Sequence, residues 1–79
     1  MKNLERTLKA LANKRRLAIV GYLKKRESTF VGAIAEEIDL SLKATSKHLS
    51  VLGAADIVQK NQRSSRMFYR LAENQSPAA

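Results

Sequence analysis

The sequence contains no cysteine, a single proline and three glycines. Without cysteine, neither a disulfide nor a thiolate metal site can stabilise or regulate the chain. Three glycines leave no glycine-rich loop to cradle phosphates, and Pro77 stands too late to interrupt any earlier element. No apolar run approaches the roughly 18 residues of a membrane span. The opening Met1-Lys2-Asn3-Leu4-Glu5 lacks the apolar stretch of a signal peptide. The expectation is a soluble, cytoplasmic protein with no membrane partner.

Acidic residues are also scarce. Seven Asp and Glu face fifteen Lys and Arg, giving +8 on 79 residues. Such a field attracts polyanions and speeds encounter with them. Between Ser41 and Leu71 the bases are Lys43, Lys47, Lys60, Arg63, Arg66 and Arg70, against the single acid Asp56. Catalysis finds little to work with. Glu36 and Glu37 are adjacent on a helix and cannot face each other across a substrate, and there is no Ser-His-Asp arrangement. His48 is the lone histidine. A zinc site normally needs three or four N, S or O ligands, so no metal and no cofactor are expected, and His48 reads as a boundary residue or a phosphate contact.

The chain is short enough for one domain, residues 1–79, with a small core and a tail frayed from about residue 73. Leu4, Leu8 and Leu11 recur at i, i+4, i+7, the stripe of an amphipathic helix over about residues 3–12. Asn13 is a good N-cap for a second helix, from Lys14 to Lys25. After the polar run to Ser28, Phe30-Val31 reads as a short strand. Val31, Ile34, Ala35 and Ile38 mark a brief third helix ending near Asp39. Ser41 is the N-cap of a fourth helix, from Leu42 to about Ala54. Asp56 reads as a turn, Ile57 to Lys60 as a strand and Asn61 to Ser65 as another turn. In the last strand, Arg66 to Leu71, Met67, Tyr69 and Leu71 alternate with Arg66, Phe68 and Arg70. Tyr22, Phe68 and Tyr69 read as core rather than as stacking platforms for bases. The fold class is mainly α with a small β-hairpin wing: a winged helix-turn-helix.

On the fourth helix, at about 100° per residue, Thr45, Leu49 and Leu52 share the face that packs inward. Lys43, Ser46, Lys47 and Ser50 fall opposite, two cations and two hydroxyls with no carboxylate among them. Lys donates to guanine acceptors or phosphates, and Ser to either. Arg63, Ser64 and Arg66 stand at the hairpin tip, where cations reach phosphates or the minor groove. These placements point to double-stranded DNA, with the fourth helix in the major groove. The alternative is a winged-helix protein–protein or RNA-binding module, since fold does not fix function. The leucine stripe of the first helix points to a homodimer, which would cover it.

The stretches Leu8-Lys9-Ala10-Leu11-Ala12-Asn13-Lys14-Arg15-Arg16-Leu17, Leu40-Ser41 through Ser46-Lys47-His48-Leu49-Ser50-Val51-Leu52, Ala55-Asp56-Ile57-Val58 and Met67-Phe68-Tyr69-Arg70-Leu71 resemble ArsR-type (arsenic-repressor) winged-helix regulators. The resemblance covers about residues 4–72. It implies a dimeric transcription repressor with base and phosphate contacts at Ser41, Lys43, Thr45, Ser46, Lys47 and His48 and wing contacts at Arg63 and Arg66. Thr45 divides the two readings, because its helical angle turns it toward the core. The family's cysteine pair is replaced around Phe30, Val31 and Gly32, which excludes thiol-based sensing. Asp56 stands where the family's recognition helix usually ends in glycine, and Asp tolerates the left-handed conformation better than most residues. Many relatives add a last dimerisation helix beyond the point where this sequence stops.

Overall fold

Asn13 separates the first two helices. Its backbone is extended, and its side-chain oxygen accepts the N–H groups of Arg15 and Arg16 at 2.9 and 3.1 Å. That satisfies two donors a helix start leaves orphaned. The computed structural model describes residues 2–72, and the frayed tail expected from residue 73 lies outside the described residues. The elements are α1 (Lys2–Leu11), α2 (Lys14–Lys24), β1 (Thr29–Phe30), α3 (Val31–Ile38), α4 (Leu42–Ala54), β2 (Val58–Arg63) and β3 (Arg66–Leu71). The three strands form an antiparallel sheet in the order β1-β3-β2. The chain is a winged helix-turn-helix, with α3 and α4 as the helix pair and β2–β3 as the wing.

Both helices of the pair end the same way. Asp39 after α3 and Asp56 after α4 sit in the left-handed region, at φ 58° and 62°. The next residue, Leu40 or Ile57, donates its N–H back to the carbonyl of Ala35 or Leu52, at 3.0 and 2.9 Å. These are Schellman closures with Asp in the position glycine usually takes. They turn the chain sharply and return an apolar residue to the core.

That core is built from Ile19 and Leu23 of α2, Ile34 and Ile38 of α3, Leu49 and Leu52 of α4, and Val58 of β2, all buried. Each such side chain stabilises the fold by about 1.5–3 kcal/mol relative to exposure. α1 buries little: Ala10 is buried and Leu11 packs against the core, while Leu4 and Leu8 remain 55% and 60% exposed.

The hairpin departs from expectation. Its strands extend to Arg63 and restart at Arg66, so the turn is Ser64-Ser65 rather than Asn61 to Ser65. Ladder hydrogen bonds join backbone groups, so the polar side chains of Asn61 and Gln62 do not prevent pairing. Ile57 closes α4 instead of opening the strand.

Candidate nucleic-acid interface

The Ser41 hydroxyl accepts the Ala44 N–H at 3.1 Å and so starts α4. The core then fixes how the helix is rotated. Thr45, Leu49 and Leu52 are buried, and Lys43, Ser46, Lys47 and Ser50 are exposed. The outward face therefore carries two ammonium groups and two hydroxyls without a carboxylate. Ser41 is exposed at its N-terminal end, where helix-end N–H groups favour anions.

Thr45 corrects the contact implied by the resemblance. It is 0% exposed, and its Oγ1 has no hydrogen-bond partner among the described residues. A side chain with no accessible surface cannot touch a groove, because the packing of α4 on the core covers it.

His48 is half-buried at the margin of the exposed face. Arg16 of α2 donates from Nη1 to His48 Nδ1 at 3.3 Å. Burial, then the positive charges of Arg16, Arg15 and Lys47, push the imidazole below its ordinary pKa. Arg15 donates from Nη1 to the Ile38 carbonyl at 3.0 Å, next to the turn between α3 and α4. Sequence reasoning did not single out Arg15 and Arg16, since Ile38 and His48, the partners that tie them to α3 and α4, lie 23 and 32 positions away.

At the wing, Arg63, Ser64 and Arg66 are all exposed. Ser64 has φ 53° and makes the reversal. The arginines do not hang free. The Arg63 guanidinium lies 5.2 Å above the centre of the Phe68 ring, and that of Arg66 lies 4.6 Å above the Phe30 ring. Phe68 was expected in the core. It is half-buried and turned to the outer face of the sheet, because core-packed Tyr69 and Leu71 occupy the alternate positions of β3. Tyr22 packs against the core, with the Arg26 guanidinium 4.4 Å from its ring centre.

Among the described residues no group of three or more His, Asp or Glu is placed to hold a metal ion. No helix among them is long and apolar enough to cross a membrane.

The sequence matches the family model described as a helix-turn-helix domain over residues 11–60. It is 40% identical over 62 residues to nodulation protein NolR of Rhizobium meliloti, covering 78% of this chain and 50% of that protein. It is 35% identical over 71 residues to the transcriptional activator HlyU of Vibrio cholerae, covering 90% and 65%. The chain thus spans half to about two thirds of the length of these relatives. Among solved structures, it superposes on the homodimeric winged helix-turn-helix DNA-binding domain of Mb0332 from Mycobacterium bovis, a possible ArsR-family regulator. The TM-score is 0.86 at 34% identity, over 90% of this chain and 65% of that one. The matched segment includes the whole of α2, α3 and α4, and the chain belongs to the helix-turn-helix domain family, in its ArsR-type winged-helix branch.

Proposed function

We propose that this chain binds double-stranded DNA in a sequence-dependent way and regulates transcription, as a homodimeric repressor. The observation that carries the proposal is the carboxylate-free outward face of α4, Lys43, Ser46, Lys47 and Ser50, together with exposed Arg63 and Arg66 on the wing. α4 enters the major groove, where Lys and Ser meet base edges and phosphates. The wing cations take the flanking backbone or minor groove. Ser41 and His48 stand at the rim of the same face. The fold acts as one domain, in the cytoplasm and without catalysis.

Exposed Leu4 and Leu8 supply the apolar surface a second copy would cover, and the Mycobacterium bovis relative is itself described as homodimeric. Two copies would present two recognition helices about 34–36 Å apart, one turn of DNA. Repression follows from occupancy of a promoter alone, whereas activation, the role named for HlyU, needs a further surface for the transcription machinery.

The test is selection of bound sequences from random duplex DNA, then titration of the selected duplex at several salt concentrations. Log affinity should fall linearly with log salt, by about 0.9 for each phosphate neutralised. Absence of duplex binding at low salt, or binding indifferent to salt, would overturn the proposal in favour of a protein-binding or RNA-binding module.

A further inference from the structure

We infer that Phe30 and Phe68 are positioning residues for the wing, whose rings hold the guanidinium groups of Arg66 and Arg63 in place before DNA arrives. This rests on the duplex-binding reading above and adds to it how the wing is prepared.

The sheet register brings the four side chains together. Phe30 pairs with Phe68 across β1 and β3, Phe68 pairs with Asn61 across β3 and β2, and Arg63 pairs with Arg66 at the end of the hairpin. Cross-strand partners share a face, and so do residues two apart along a strand. Phe30, Phe68, Arg63 and Arg66 therefore lie together on the outer face. The rings meet edge to face, with centroids 6.2 Å apart and planes at 69°. Each ring faces one guanidinium, at 4.6 Å for Arg66 and 5.2 Å for Arg63.

Two further observations show that the local chain is arranged around Phe30. Phe30 is the N-cap of α3 and makes no side-chain cap hydrogen bond, at a position where Ser, Thr, Asp or Asn would supply one. The ring serves the wing instead of the helix start. Gly32, one turn-edge later, leaves space for it: a Cβ there would stand 3.1 Å from Phe30 Cε2. Any larger residue would require the ring on which Arg66 stacks to give by a few tenths of an ångström.

Arg63 and Arg66 are like charges directly opposite each other, an arrangement that by itself pushes the strands apart. Stacking each guanidinium on a separate ring offsets that repulsion and occupies only the flat face of the cation. The N–H fork at its edge stays open to phosphate or base oxygens. A braced arginine also loses less conformational freedom on binding than one on a free tip. Because Phe30 joins β1 to α3, the brace ties the wing cations to the helix pair, so the two contact surfaces reach the duplex in one register.

The experiment compares Phe30→Leu, Phe30→Tyr, Arg66→Ala and the double variant Phe30→Leu/Arg66→Ala, each checked for a native unfolding transition. Affinity for the selected duplex is measured beside the NMR shifts of the Arg66 side chain in free protein. Phe30→Leu should weaken binding about two- to fivefold and move the Arg66 resonances out of their ring-current-shifted positions. Phe30→Tyr should keep both, and Phe30→Leu should have no further effect once Arg66 is Ala. Phe68→Leu should act in the same way through Arg63. If Arg66→Ala weakens binding while Phe30→Leu does not, or if Phe30→Leu weakens binding equally with and without Arg66, positioning is overturned while duplex binding stands. If the wild-type chain binds no duplex, the parent reading has failed as well.

Discussion

The Arg16 guanidinium joins three helices. It donates from Nη1 to His48 Nδ1 of α4, from Nη2 to the Lys9 carbonyl at 3.3 Å, and from Nε to the Ala10 carbonyl. The carbonyls at the end of α1 thus receive a cation, which also suits the helix dipole. Arg16→Ala should lower stability by about 1–2 kcal/mol, the range for lost hydrogen bonds to a charged group that is still partly solvated. Arg16→Lys should not restore it, because a single ammonium cannot replace the planar fork. Urea unfolding of the three proteins measures both outcomes.

Arginine only donates, so Nδ1 of His48 must be the acceptor and the neutral ring carries its proton on Nε2. Protonation would place a second donor against Arg16, beside Arg15 and Lys47. Burial and these three cations lower the folded pKa below 6.5. On acidification the unfolded chain therefore takes up the proton first. The stabilisation is fully present above about pH 6.5 and is lost as pH falls through the lowered folded value. His48→Gln should flatten this part of the stability–pH curve. An unchanged slope between wild type and variant would show that another group carries it.

Thr45 places a buried hydroxyl, with no partner among the described residues, at the end of the first turn of α4. Valine has nearly the same shape and no polar atom to desolvate. Thr45→Val should leave stability unchanged or raise it by about 1 kcal/mol, with duplex affinity unaltered. A large loss of DNA affinity at full stability would restore the contact role that burial argues against.

Leu8 is 60% exposed on α1, so Leu8→Glu should leave the monomer fold intact. It should dissociate the proposed dimer, seen as a halved mass in sedimentation, and remove the advantage of duplexes carrying two half-sites one turn apart.

Lys47 and the wing arginines should differ in kind. Lys47→Ala should weaken the preferred duplex by about 1–3 kcal/mol and relax sequence choice at one position. Arg63→Ala and Arg66→Ala should weaken preferred and random duplexes alike and lower the salt slope by about one unit each. Affinities for both duplexes over a salt series distinguish the roles, and the reverse pattern would exchange them.

Features set within a few residues were legible in the chain itself. Asn13 and Ser41 cap α2 and α4, helical period separates Thr45 and Leu49 from Lys43 and Lys47, and Asp56 takes the left-handed turn. Each follows from local backbone geometry, which depends on neighbours a turn away. The scarcity of acid on the second half of the chain needs no structure at all.

What the fold alone decided are the pairings between distant positions. Nothing local tells Arg16 that His48 will lie beside it, since the contact depends on how α2 crosses α4. The alternation of β3 separates Phe68 from Tyr69, but which of its sides meets the core depends on the helices packed there. The seats of Arg63 and Arg66 depend further on β1 joining β3 in a register that sets Phe30 opposite Phe68. The exposure of Leu4 and Leu8 is likewise a tertiary fact, because the apolar stripe of a helix says that something should cover it and only packing shows that this chain's own core does not.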